Sequence, residues 1–177
     1  MRARGSRTEF RFLIDLPVQN EWANVDLVRS SVLGCFTAIF TDAEECRTFA
    51  TVASELMENA IKYGAWTDEE GPQHLHLRVW GDARAAHVQV AQPIAEDTES
   101  VRELLATIAW LNGFADAGEA YRLRMLAIAA APAGATKLGL ARIAYEGRCK
   151  LAAEIEGRIL RVTGVTQLAP AATGSRA

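Results

Sequence analysis

The chain has 177 residues, half of them apolar and 23% charged, with a formal net charge of -3. That suffices for one domain with its own core, and the lack of a clustered basic excess argues against nucleic-acid binding. No run approaches eighteen uninterrupted apolar residues, which argues against a membrane span.

Cys35, Cys46 and Cys149 are odd in number and show no C-x-x-C spacing, as expected of reduced, mostly buried thiols in a cytoplasmic protein. The basic start "MRARGSRTEFRFLIDLP" is not read as a signal peptide, because its apolar run is short, contains Asp15 and alternates. Residues 1–8 are expected to be a flexible lead, 9–167 a single domain and 168–177 a flexible tail.

Segment 9–17 alternates Phe10, Phe12, Ile14 and Leu16 with Arg11 and Asp15, a half-buried strand that Pro17 should end. A helix follows over 20–40, with Val25, Val28, Val32, Phe36, Ile39 and Phe40 on one stripe. Asp42 and Glu45 then stand at capping-box spacing, and a second helix runs to Tyr63, with Gly64 as a left-handed cap. "HLHLRVWGDARAAHVQVAQPI" reads as a hairpin turning at Gly81-Asp82.

Two helices come next. The first has Ser100 and Glu103 as its capping box and Val101, Leu104, Leu105, Ile108 and Leu111 as its stripe; the second has Asp116 and Glu119 as its cap. "LGLARIAYEG" makes a short helix, and strands "CKLAAEIEG" and "RILRVTGV" turn around Gly157-Arg158. Hairpins and helices in blocks predict an α+β two-layer sandwich, a mixed sheet with helices on one face.

The informative stretch is "SELMENAIKYG", residues 54–64. At about 100° per residue, Cys46, Phe49, Ala50, Ala53, Leu56, Met57, Ala60 and Ile61 form one apolar stripe. Glu55 and Asn59 lie almost opposite it, one turn apart, with Lys62 near the same line and Val52 and Tyr63 beside them. A solvated helix face gives this pattern readily. A covered face would give it too: a carboxylate can take a proton from an attacking hydroxyl, and an amide oxygen is a hard ligand suited to Mg²⁺. Spacing alone leaves both open.

The run from Glu55 through Asn59-Ala60 to Tyr63-Gly64 resembles the N-box of the GHKL ATPase and kinase superfamily. Within it, the strand-first layout is similar to the anti-sigma-factor serine kinases and the SiaB-type switch kinases. The resemblance spans roughly residues 9–165. It implies a Bergerat-type ATP-binding fold whose second helix lines the nucleotide pocket, with Asn59 holding Mg²⁺, Glu55 as catalytic base and Lys62 beside them.

The family's D-x-G-x-G loop is degenerate here. Gln92 and Pro93 stand where it should start, so Gln92 is the candidate adenine contact, and Asp97, with Thr98 and Ser100, is read as helix-capping chemistry. The family's G-x-G-L-G-L segment becomes Ala135-Thr136-Lys137-Leu138-Gly139-Leu140. Thr136, Lys137, Leu138 and Gly139 are therefore the candidate phosphate-facing residues. Helices replace the usual lid over 97–131, as in the SiaB-type branch.

The resemblance implies an ATP- and Mg²⁺-dependent switch kinase that phosphorylates a Ser or Thr of a small STAS-type (anti-sigma-factor antagonist) partner, with a homodimer left open. The alternative is a non-catalytic pseudokinase of the same fold that binds its partner. Elsewhere, His74, His76 and His87 share a hairpin face, for which an exposed strand is a simpler reading than zinc. Trp22, Trp66, Trp80 and Trp110 are read as core or interface packing.

Overall fold

Apolar alternation builds the first strand, β1 (Arg11–Gln19), although Pro17 sits inside it and not at its end. β1 is the edge of its sheet, where a proline is tolerated because one side of the strand makes no ladder bonds. The structure, a computed structural model, describes residues 11–40, 42–66, 74–82, 84–95, 98–130 and 138–168. The expectations for Phe10, Asp97, Thr136, Lys137 and residues 1–8 lie outside them. The tail expected over 168–177 is described only at Leu168, which is buried and whose amide donates to Arg84 O at 2.8 Å.

The remaining elements are α1 (Trp22–Ile39), α2 (Ala43–Tyr63), β2 (His74–Asp82), β3 (Ala85–Pro93), α3 (Glu99–Asn112), α4 (Ala117–Ala129), α5 (Gly139–Glu146), β4 (Cys149–Glu156) and β5 (Ile159–Gln167). The five strands form one sheet in the order β1-β2-β3-β5-β4. Every pairing is antiparallel, so the sheet expected to be mixed has no parallel pair among the described residues. β2–β3 and β4–β5 are joined by tight turns and β1–β2 by the α1–α2 block, while α3, α4 and α5 carry the chain across to β4, so that β5 comes to lie between β3 and β4.

The sheet's inner rows, such as Leu75, Leu77 and Val79 of β2 and Val88 and Val90 of β3, are buried beneath the helices. α2 rests on β2 and β3 with α1 packed along it, α5 fills in between α2 and β4, and α4 lies on α5. Phe12, Phe36, Phe40 and Phe49 close the α1–α2 end, with Phe36 stacked on Phe49 at 4.6 Å between centroids. All eight residues of the stripe expected on α2 are buried. Ile39, expected on the α1 stripe, is exposed, because the helix ends there and the chain turns away.

The ends correct two cap readings and bear out others. Asp42 caps α2 by accepting the Glu44 and Glu45 amides at 2.8 and 3.1 Å. Gly64 follows with φ -70° and ψ 149°, which is extended and not left-handed. Its glycine answers to space: a Cβ there would fall 2.5 Å from the Trp66 indole, whose Nε1 donates to Ile61 O. α3 is capped by Thr98, which accepts the Val101 amide, and not by Ser100. The hairpin turns just after Gly81-Asp82, with Asp82 accepting the Arg84 and Ala85 amides, which hold its carboxyl below the usual range. Asp116 caps α4, and Gly157 turns β4 into β5 at φ 58°.

Candidate functional site

α3 leans on β4 and α5, with Asn112 Nδ2 donating to Leu151 O at 2.8 Å. This leaves a gap between α3 and α2 whose floor is the start of α5. The gap is a hollow of about 220 Å³. From α2 it is lined by Glu55, Glu58, Asn59, Lys62 and Tyr63, from α3 by Ser100, Glu103, Leu104 and Thr107, and from α5 by Gly139 and Leu140; Trp22 of α1 stands at the rim.

The α2 flank opposite the core stripe is thus roofed. Glu55 is only 8% exposed, and Val52 and Ser54 are buried on the same helix. Val52 is apolar for a packing reason. Cβ atoms added to Gly147 or Gly164 would lie 2.9 and 3.2 Å from its methyls, so the two glycines let the end of α5 and β5 close on it.

Gly139 plays a similar part inside the hollow. A Cβ there would stand 2.5 Å from Glu55 Oε2 and 3.8 Å from Asn59 Nδ2. The glycine lets the first turn of α5 come up against the acid and the amide, bringing a helix N-terminus, with its unsatisfied amides, to the same place.

The Glu55 carboxylate is ion-paired through Oε1 to the Arg142 guanidinium, one turn further along α5. Glu55 contributes a nearly buried side chain to this pair, whereas that of Arg142 is 41% exposed. Asn59 Nδ2 and Arg142 Nε are buried without a hydrogen-bond partner, an arrangement that native interiors seldom tolerate. Lys62 Nζ lies 5.1 Å from the Tyr63 ring centroid.

Of the expected site residues, Glu55, Asn59, Lys62 and Gly139 share this hollow, and Leu138 precedes it as the N-cap residue of α5. Gln92 is not in its lining. It sits on the inner row of β3 opposite Leu160, 4% exposed, with Nε2 unpartnered. Sequence reasoning missed Arg142 and the whole α3 wall. The wall did leave a signal, since Ser100, Glu103, Leu104 and Thr107 recur at i, i+3, i+4 and i+7.

The donor set bears on which ligand the hollow could hold. Glu55, Glu58 and Glu103 put three carboxylates into the lining against the single ammonium of Lys62. A bare phosphate would be repelled there, whereas a divalent cation would be attracted, with the Asn59 carbonyl oxygen as a hard ligand. Mg²⁺ uses one or two protein oxygens and completes its shell with water and phosphate oxygens, so this wall fits a magnesium–phosphate pair better than a phosphate alone.

Two of the three hairpin histidines are otherwise engaged: His76 Nε2 is 2.7 Å from Asp15 Oδ1, and His87 stacks on Trp80 at 4.9 Å. No three or more His, Cys, Asp or Glu side chains are close enough together to hold a metal ion between them among the described residues. Trp22 and Trp110, expected in core or interface packing, lie outside the core, Trp110 with its ring 4.7 Å from that of Phe114. Cys46 and Cys149 are buried and Cys35 is exposed. No helix among the described residues is long and apolar enough to cross a membrane.

Fold and hollow together define an α+β two-layer sandwich with a cleft between its helices. Among solved structures, the chain is similar in fold to a chain in the crystal structure of the SiaB–SiaC complex from Pseudomonas aeruginosa. The TM-score is 0.62 with 14% identity, covering 88% of this chain and 89% of that one. At that identity the likeness speaks for the fold. No family model and no curated protein matches the sequence.

Proposed function

We propose that this chain is a regulatory switch kinase of the GHKL type that binds ATP with Mg²⁺ in the α2–α3 hollow. Its substrate would be a Ser or Thr of a small STAS-type partner protein. The observation that carries the reading is the convergence of Glu55, Asn59, Lys62 and Gly139 on one hollow. The fold likeness to a chain crystallised as a two-protein complex supports a protein partner.

Phosphoryl transfer asks a protein mainly for positioning and charge stabilisation. The nucleotide would supply the phosphoryl group, and the work of this chain is to hold and orient. Asn59 Oδ1 would hold Mg²⁺, and the amides at Leu138-Gly139 would be available to the phosphates. Glu55 takes the proton of the partner's hydroxyl. Lys62 adds positive charge at the rim, and Thr136 and Lys137 belong to the segment leading into α5. Gln92 lies outside the lining of the hollow, on the inner row of β3, so a base contact there would require the nucleotide to reach beyond the hollow.

A second reading is a non-catalytic pseudokinase that keeps the fold and binds its partner. It is favoured by the size of the hollow, about 220 Å³, against about 300–1,000 Å³ for ordinary ligand sites. Calorimetry with ATP and Mg²⁺ separates the two. Sub-millimolar binding that Asn59→Ala abolishes supports the kinase, and heat-silent titrations at millimolar nucleotide support the pseudokinase.

A further inference from the structure

We propose that Arg142 is a latch on Glu55: it holds the carboxylate in the empty hollow and is surrendered to an incoming polyphosphate anion. Anion binding and release of Glu55 would then be one event. The inference rests on the hollow being an anion–cation site, as in the proposed function.

Three features carry it. The pair is lopsided, since the carboxylate is nearly buried while much of the guanidinium reaches solvent. Arg142 is therefore the partner that can move. Its donors are also under-used: Nε is buried without an acceptor, although a guanidinium offers five N–H groups in a fork that suits phosphate as well as carboxylate. Finally, Glu55 already occupies the electropositive spot. Its Oε1 is on Arg142, and its Oε2 lies 2.5 Å from where a Gly139 Cβ would be, at the start of α5. A carboxylate at a helix N-terminus beside an arginine fills the place a phosphate would take.

Competition follows. An anion reaching the first turn of α5 must displace Glu55 from Arg142 or remain outside. A buried carboxylate stripped of its cation is costly, so Glu55 needs a new partner, and a hydroxyl donor from a docked protein is one. Arg142 thus acts through Glu55 as a positioning residue.

The test titrates inorganic tripolyphosphate with Mg²⁺, and separately ATP with Mg²⁺, into wild type, Glu55→Gln, Arg142→Gln, Arg142→Lys and the double variant, read by calorimetry. The latch predicts that Glu55→Gln tightens tripolyphosphate binding by about tenfold, within the usual range of coupling between sites. Arg142→Gln weakens it by a similar factor, Arg142→Lys restores part of the loss, and the double variant shows no gain over Arg142→Gln. An equal gain from Glu55→Gln in the Arg142→Gln background overturns the latch, because the carboxylate would then act by simple repulsion. Failure of every variant to bind tripolyphosphate overturns it as well.

The arms also separate this inference from the proposed function. ATP binding that is indifferent to both substitutions removes the latch and leaves the kinase reading standing. Tripolyphosphate binding with the predicted coupling, but without ATP binding, keeps the latch and removes the nucleotide. Glu55→Gln preserves shape while removing charge, so it carries the test even if Arg142→Gln alone folds poorly.

Discussion

α2 and α4 reverse what composition leads one to expect. α2 carries an acid that is 8% exposed, whereas α4 carries Leu126 at 67% exposed with Leu123 and Met125 beside it. On α4 only Ala120 is buried. The difference is one of position. α2 lies between the sheet, α1 and α5, so nearly every side of it is covered, and a polar residue there must find a partner, as Glu55 does in Arg142. α4 rests chiefly on α5 and has apolar residues to spare. Burial is assigned by neighbours, and a charged residue that survives it invites a chemical explanation more than an exposed leucine does.

Substitutions can break or sharpen this contrast. The largest effect is expected at Phe49→Ala, which removes a fully buried ring stacked on Phe36. Large-to-small changes of this kind cost about 3–5 kcal/mol, which urea unfolding would read as a lowered midpoint. Next comes Arg142→Gln, expected to cost about 1–3 kcal/mol because the Glu55 charge is left buried while the lost guanidinium was partly solvated. Adding Glu55→Gln should recover part of that loss in the same unfolding assay. If the double variant is no better than Arg142→Gln, the pair is not what keeps Glu55 in place.

A smaller effect concerns the packing behind α2. Cys149 donates its thiol to Ile143 O at 3.2 Å, and burial pushes its pKa from 9.0 up to about 12. A raised folded pKa means this contribution is intact below pH 9.0 and is lost as pH climbs towards about 12. The stability of wild type should therefore fall across that window more steeply than that of Cys149→Ala, as followed by urea midpoints at stepped pH. In native protein at pH 8, a thiol reagent should label exposed Cys35 first and Cys149 only as the chain opens. The smallest effect is Leu126→Ser, expected to change stability by no more than about 0.5 kcal/mol. A loss of several times that would mean that α4's outer side is packed in solution.

Much of the fold was legible in the sequence, because helical stripes and strand alternation report directly on which face is covered. The stripes of α2 and α3, the hairpin of β2 and β3 and the caps at Asp42 and Asp116 were all read from local spacing. Pro17 misled because a strand's place in the sheet is not local, and an edge position makes proline harmless. Gly64 misled because its glycine answers to Trp66 rather than to backbone angles. At the site, Glu55, Asn59 and Gly139 were legible through resemblance and helical phase. Arg142 was not: on an amphipathic helix it looks like any solvated arginine until α5 is folded against α2. Gln92 was rightly placed at the strand end, but its burial beside Leu160 depends on β5, far along the chain.

The most direct measurement is calorimetric titration of Mg²⁺-ATP into wild type and Asn59→Ala, with thermal unfolding of both. The account predicts sub-millimolar binding by wild type, none by Asn59→Ala, and nearly equal unfolding temperatures, since Asn59 lies off the core stripe. Nucleotide binding of equal strength in the two proteins, or none in wild type, would contradict it.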